Sequence, residues 1–151
     1  MVGILLTGKS QTRLAMVTLG ASIRSLGTPL FPPAMTPAAF NAFCSTLPGA
    51  AHVIQWGDHH VWKVGAKVFA IGGEREDGQA RVTFKAGEIA YEVLRDQPGL
   101  RPAPYMASRG LKWIQAYGEG PDDEALQDHI ARSHALVVEG LSRKARAALG
   151  V

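Results

Sequence analysis

The amino-acid sequence predicts an α+β domain in which helices pack on one face of an antiparallel β-sheet. Apolar residues recur at helical spacing near residue 40, alternate with polar residues between 51 and 85, and return to helical spacing after residue 121. In chain order these segments predict the elements α-β-β-β-β-α-β-α. With 46% apolar and 19% charged residues the chain can build a core, which excludes a disordered protein.

The first helix is predicted by its start signal and its apolar stripe. Thr36 suits the N-cap and Pro37 the first helical position, where a missing N–H does no harm. The apolar stripe that follows consists of Phe40, Phe43, Cys44 and Leu47, and Pro48-Gly49 ends the helix. Because Cys44 lies within the stripe, we interpret its thiol as a small core side chain rather than a reactive group.

Residues 51–85 predict a meander of short strands. Gly65-Ala66 suits a two-residue hairpin turn, and the register it sets places Val64 opposite Lys67 and Trp62 opposite Phe69. The predicted core face holds His60, Trp62, Val64, Phe69 and Ile71, and the predicted outward face holds Val61, Lys63, Val68 and Ala70. The alternation of Arg81–Lys85 predicts another strand, with Val82 and Phe84 inward.

The rest of the chain predicts two helices and one strand. A helix over 88–96 would bury Ile89, Val93 and Leu94. The segment Arg101–Tyr105 is expected to lack regular structure because its two prolines stiffen it. A strand over 111–117 and a single helix from Pro121 to Gly150 follow, the helix with Leu126, Ile130, Val137 and Leu141 on its core face.

The net charge of +3 lies in the first 34 residues. Lys9, Arg13 and Arg24 stand there without any acid, whereas residues 35–151 hold thirteen bases and thirteen acids. We therefore predict one domain over 35–151. Residues 1–34 are interpreted as a poorly ordered N-terminal extension or a misplaced start codon, since Met35 suits a chain start. The alternative is a signal peptide built on Leu14–Ile23, although that stretch has a poor cleavage site.

The cellular compartment is predicted from the lengths of the apolar runs and from the cysteine content. No apolar run reaches the roughly 18 residues that a membrane span needs. A single cysteine suits a reducing compartment. We expect a cytoplasmic monomer without a membrane anchor.

Residues that catalysis or metal binding would need do not fall into a known pattern. Asp58-His59-His60 has suitable ligand types, but neighbours on a strand point to opposite faces. His129 and His134 diverge by about 140° on a helix, and His134 beside the apolar stripe is expected to be half-buried and hydrogen-bonded. The chain has no zinc, calcium, Walker or nucleophile-elbow motif. We expect a non-enzymatic protein without metal or cofactor.

Basic and aromatic residues interleave in a way that suits nucleic acid, because cations neutralise phosphates and rings stack on bases. The candidate contacts are Lys63, Arg101, Tyr105, Arg109, Lys112, Arg143, Lys144 and Arg146. The bases would contact phosphates and Tyr105 would stack. A structural alternative stays open: cations at the end of the last helix complement its dipole, and Glu139 could pair with Arg143. Trp113 is expected in the core.

Several segments resemble the MmcQ/YjbR family. They are Leu47-Pro48-Gly49-Ala50, Trp56-Gly57 with Val61–Ala70, Pro98-Gly99-Leu100-Arg101-Pro102-Ala103-Pro104-Tyr105, Ser133-His134-x-Leu136-Val137 and Arg143-Lys144-x-Arg146. The resemblance spans about residues 35–148, with His134 where the family usually has tyrosine. It implies a double-wing fold similar to that of CyaY and frataxin, and a DNA-binding protein. It does not imply iron binding, because an iron-binding helix of the CyaY type needs a row of acidic residues and residues 40–47 contain none.

Two other functions remain open at this point. The first is a protein-interaction module that uses the outward sheet face of Val61, Val68 and Ala70. The second is a small-ligand binder at the Pro102–Tyr105 segment. DNA binding differs from both because its affinity falls steeply as salt rises.

Overall fold

A computed structural model describes residues 35–151 of the chain. The interpretations of residues 1–34 as an extension, a misplaced start or a signal peptide lie outside the described residues. The described helices are α1 (Pro37–Ser45), α2 (Glu88–Leu94), α3 (Pro104–Ala107), α4 (Asp123–Glu139) and α5 (Arg143–Leu149). The described strands are β1 (Ala50–Gln55), β2 (His59–Val64), β3 (Lys67–Glu74), β4 (Ala80–Lys85), β5 (Leu100–Pro102) and β6 (Trp113–Ala116).

The strands form an antiparallel sheet in the order β1-β2-β3-β4-β6-β5. Helices α1 and α4 pack against its central strands, and the core lies between them and the sheet. This arrangement confirms the predicted α+β class. Within residues 35–151, no helix is both long enough and apolar enough to cross a membrane.

Helix α1 forms as its sequence predicts. The Thr36 hydroxyl accepts a hydrogen bond from the Ala39 N–H at 3.1 Å, which satisfies one of the free donors at the helix start. Phe40 and Cys44 are buried, and Phe43 packs against the core from a half-buried position. The cap and the stripe together place α1 on the sheet.

A β-bulge at Phe69 overturns the predicted register of the hairpin. Val64 opposes Lys67 as predicted, but Trp62 opposes Ala70, so Phe69 is an extra residue in β3. Both Phe69 and Ala70 therefore join the core, and Ile71 moves to the other face, where it opposes Val61.

The exposed sheet face predicted for protein interaction is wrong for two of its three residues. Ala70 faces the core and is fully buried. Val61 does lie on the second face, but its opposed neighbours are Val53 and Ile71 and its side chain is also fully buried. Of the three residues predicted for this surface, only Val68 retains partial exposure.

Three short elements in the second half were not predicted. The segment Arg101–Tyr105 is regular: Arg101 and Pro102 pair with β6 as the edge strand β5, and Pro104 opens α3. The predicted final helix is two helices. Gly140 caps the end of α4, and the Ser142 hydroxyl begins α5 by accepting from the Ala145 N–H at 3.0 Å.

Helix α2 presents a different face from the predicted one. Tyr91 and Leu94 are buried, whereas Ile89 and Val93 are 82% and 56% exposed. Tyr91 and Leu94 are three residues apart and lie on one side of the helix, which packs beside β5 and β6. The packing of α2 beside β5 and β6 therefore determines which of its apolar residues are buried.

Candidate nucleic-acid interface

The candidate residues between 101 and 112 lie on one compact unit, residues 100–117, named here the β5–β6 segment. Its two strands pair through Leu100 with Ala116 and Pro102 with Ile114, and the Ala103 N–H donates to the Trp113 carbonyl at 2.9 Å. Helix α3 lies at the tip between the strands. This short hairpin with a helical tip brings residues from both of its arms onto the edge of the sheet.

Each cation of the β5–β6 segment lies close to a tyrosine ring. The Arg101 guanidinium donates to Gln115 Oε1 from Nε and Nη2 at 3.0 and 2.6 Å, and its carbon lies 4.4 Å from the Tyr117 ring centre. Arg109 lies 5.8 Å from the ring centre of Tyr105, which is 74% exposed. These contacts hold the charges near the rings without neutralising them.

Lys112 makes a third cation–aromatic contact. Its Nζ lies 4.9 Å from the ring centre of Tyr91, and the Arg95 guanidinium lies 5.4 Å from the same ring. Neither Tyr91 nor Tyr117 nor Arg95 was predicted as part of the interface. Their roles depend on how α2 and β6 pack, which the local sequence does not encode.

The C-terminal candidates lie at the other end of the sheet. Arg143 and Lys144 open α5, and Arg146 lies in its last turn. The β2–β3 turn packs against this region, because a Cβ built at Gly65 would lie 2.9 Å from Leu141 Cδ1 and 3.4 Å from Leu149. Lys63 lies two residues before that turn and is half-buried.

The eight candidate residues therefore form two groups rather than one patch. Strands β2 and β5 are four places apart in the sheet, which corresponds to about 19 Å at the usual strand spacing. The first group belongs to the β5–β6 segment. The second comprises the cations of α5, with Lys63 beside the turn that packs against this region but on the face of β2 opposite to the core residue Val64.

The structural explanation for the C-terminal cations is wrong for two of them. Because the helix breaks at Gly140, Arg143 and Lys144 lie in the first turn of α5, where a helix dipole disfavours positive charge. The same break removes the helical i, i+4 spacing that would pair Glu139 with Arg143, and the ion pairs found within residues 35–151 do not include that one. Helix stability does not account for these charges.

Cys44 and His134 are structural side chains. Cys44 is fully buried in the core, which confirms its interpretation as a core side chain, and this burial raises the pKa of its thiol to about 12. The His134 ring is buried, donates from Nε2 to the Pro48 carbonyl at 2.7 Å, and meets Phe69 edge-on. In the part of the chain that the structure describes, no three His, Cys, Asp or Glu side chains gather closely enough to hold a metal ion.

A cavity of about 330 Å³ lies between α2 and α4, with Phe84 and Leu94 in its lining. His129 stacks flat on Phe84 with ring centres 5.1 Å apart. Burial lowers the pKa of His129; Asp128 opposes this shift and Arg132 reinforces it. The Pro102–Tyr105 segment does not line this cavity, so the small-ligand hypothesis for that segment stays a prediction.

Comparison with known proteins gives a family and a fold. The YjbR family model matches residues 45–136, more than half of the chain. The crystal structure of DR2400 from Deinococcus radiodurans, which has a DUF419 domain, matches with a TM-score of 0.65 and 22% identity, covering 78% of this chain and 89% of that one. At that identity the likeness establishes the fold alone. DUF419 is the YjbR/MmcQ family. No curated protein matches. The chain belongs to the YjbR family.

Proposed function

We propose that this protein binds DNA without catalysing a reaction, with the β5–β6 segment as its main contact. The segment carries Arg101, Arg109 and Lys112 and no acidic residue, so its formal charge is three minus zero, or +3. Cations contact the phosphates, which gives affinity without sequence preference. The exposed Tyr105 ring offers a stacking surface for an unpaired base.

The observation that carries this proposal is that the cations are unpaired. Within residues 35–151 the ion pairs join Arg75 to Asp77, Arg95 to Glu92 and Arg132 to Asp128. None of them involves a cation of the β5–β6 segment or of α5. A charge that the fold leaves without a carboxylate partner is available to a phosphate.

The test is a titration of duplex DNA with the full chain at several salt concentrations, followed by fluorescence anisotropy. Replacing Arg101, Arg109 and Lys112 together with Ala is expected to weaken binding to all sequences alike. The log–log salt slope should become shallower by about 0.9 for each phosphate contact removed. Arg132→Ala is the matched control, because Arg132 is exposed but already paired with Asp128.

A separate variant tests the second group. Replacing Arg143, Lys144 and Arg146 with Ala shows whether α5 contacts the same DNA. If it does, the salt slope becomes shallower in this variant too, and the change adds to that caused by replacing Arg101, Arg109 and Lys112. Circular dichroism of each variant confirms that the fold is kept. Unchanged affinity and slope in the Arg101/Arg109/Lys112 variant would remove the β5–β6 segment from the interface.

A further inference from the structure

A cavity of about 540 Å³ opens at the end of the sheet where β2 and β4 begin and β3 ends. Two consecutive glycines of β3, Gly72 and Gly73, line it with bare backbone. The loop between β1 and β2 brings Trp56 to the same cavity. A volume of this size suits a small molecule, and neither the fold nor the proposed DNA contacts account for it.

Gly73 creates a slot on one face of the sheet. It pairs with Arg81 of β4, and the neighbouring pair of His60 with Gly72 places His59 on its other side. The backbones of His59 and Arg81 stand about 10 Å apart, and because glycine has no side chain, no side chain of β3 rises between them. A Cβ built at Gly73 would lie 3.3 Å from His59 Cδ2, so the imidazole leans over the slot.

The slot presents both hydrogen-bond donors and acceptors. His59 Nδ1 donates to the Trp56 carbonyl at 2.8 Å, which leaves Nε2 of the neutral ring as an acceptor above Gly73. Nε of Arg81 is buried and has no hydrogen-bond partner among the described residues. A buried donor without a partner costs free energy. Glu74 is the last residue of β3, so its exposed carboxylate reaches the cavity from the end of the strand rather than from the face that holds Gly73 and Arg81, and it takes part in none of the ion pairs within residues 35–151.

Trp56 supplies a flat apolar surface at the mouth of the cavity. Trp56 is 63% exposed, and its backbone has a φ of +50°, which is rare for a bulky residue. Strained backbone of this kind persists where the surrounding structure holds it, and it clusters at sites that clamp ligands. The hydrogen bond from His59 to the Trp56 carbonyl is one such restraint.

We propose that this cavity binds a nucleobase, and that guanine matches it best. Trp56 would stack on the base. The Arg81 guanidinium would donate to O6 and N7, and the Glu74 carboxylate would accept from N1–H and the 2-amino group. Adenine presents an amino group where Arg81 also donates, so it fits less well.

The charges of the cavity indicate the form of the ligand. Asp58 and Glu74 against Arg81 give one negative charge, which disfavours a phosphate inside the cavity. The ligand is therefore the base itself, either in a free nucleoside or unstacked from a strand. This inference does not rest on the DNA-binding proposal, because a nucleoside has no phosphate.

The experiment adds guanosine to the full chain and follows tryptophan fluorescence together with saturation-transfer NMR. Trp62 and Trp113 are 6% and 9% exposed, so quenching reports mainly on Trp56. Trp56→Ala should weaken guanosine binding about tenfold or more by removing the stacking surface. Glu74→Gln should weaken guanosine binding by a similar factor and leave the weaker binding of adenosine unchanged.

Two further variants keep the test decisive. Gly73→Val fills the slot between His59 and Arg81 and should abolish binding, while Ile89→Ala changes an exposed apolar residue outside the cavity and should have no effect. Absence of a guanosine signal in the native protein overturns the proposal, as does unchanged binding by Trp56→Ala. Equal affinity for adenosine overturns the choice of guanine. Guanosine binding without DNA binding would refute the DNA proposal alone.

Discussion

At the scale of single residues, Ser133 joins three elements through one hydroxyl. Its Oγ donates to the Phe69 carbonyl at 2.6 Å and accepts from the Lys85 N–H at 2.8 Å, and the side chain is fully buried. The bulge at Phe69 takes that residue out of the pairing with β2. One serine on α4 therefore satisfies backbone groups at the bulge of β3 and at the end of β4.

Ser133→Ala is expected to lower the free energy of unfolding by about 2–6 kcal/mol, because it leaves the buried Phe69 carbonyl and the part-buried Lys85 N–H unpaired at about 1–3 kcal/mol each. Chemical denaturation followed by circular dichroism measures the loss. Ser45→Ala is the control, since Ser45 is an exposed helix residue whose hydroxyl donates to Ala42 at 2.7 Å. A Ser133→Ala protein as stable as the control would show that the two backbone groups find other partners.

Cys44 allows a prediction about pH. Burial raises the pKa of its thiol to about 12, from 9.0 for a free thiol, so the folded state favours the protonated form. The contribution of the thiol to stability is complete below about pH 9 and is lost as pH rises towards 12. We expect the native protein to resist maleimide at neutral pH and to react once it is unfolded.

Cys44→Ala isolates the thiol from other groups that titrate at high pH. Its unfolding free energy should fall less steeply between pH 9 and 12 than that of the unchanged protein, even though the loss of packing lowers its stability at every pH. Equal slopes, or a native thiol that reacts as fast as the unfolded one, would contradict the burial of Cys44.

At the scale of elements, the turn between β2 and β3 has two structural roles: it closes the hairpin, and it packs against the helices. Gly65 and Ala66 both have positive φ, of 59° and 67°, as in the tight turns whose twist matches that of a hairpin. The same turn packs on Leu141, in the junction between α4 and α5. Gly65 is needed for its backbone conformation and for the close approach of that side chain.

Gly65→Ala is expected to lower the free energy of unfolding by about 2–4 kcal/mol, since left-handed strain of about 1–2 kcal/mol adds to overpacking against Leu141. Gly78→Ala separates the two effects. Gly78 also has a positive φ, of 84°, but no atom would lie within 4 Å of its new Cβ. It should lose only the strain, about 1–2 kcal/mol. Thermal or chemical unfolding of the two variants gives the difference, and equal losses would rule out the clash.

The same turn shows which features could be predicted from sequence. Gly65-Ala66 could be predicted because a tight turn depends on the residues within it. The bulge at Phe69 could not, because its carbonyl is satisfied by Ser133, 64 residues later in the chain. Similarly, Arg101 and Tyr105 could be chosen from composition, whereas the contact between Arg101 and Tyr117 follows only from the pairing of β5 with β6.

At the scale of the whole molecule, charges are segregated although residues 35–151 are balanced. Residues 100–117 and 140–151 each hold three bases and no acid. Residues 118–139 hold six acids and one base, Arg132. Balance over the chain therefore coexists with locally positive segments, and local charge is what a phosphate encounters within a Debye length. The overall excess of +3 is a poor guide to the interface.

The first 34 residues offer a competing source of DNA affinity, because Lys9, Arg13 and Arg24 account for the whole net charge. Replacing these three with Ala in the full chain should weaken binding at low salt, since non-specific attraction is electrostatic. The remaining affinity should still depend on salt and should fall further when Arg101, Arg109 and Lys112 are also replaced. The measurement is the slope of affinity against salt for each triple variant and for the six-residue combination. Complete loss of binding in the Lys9/Arg13/Arg24 variant alone would assign the affinity to the first 34 residues and leave the β5–β6 segment without a role in it.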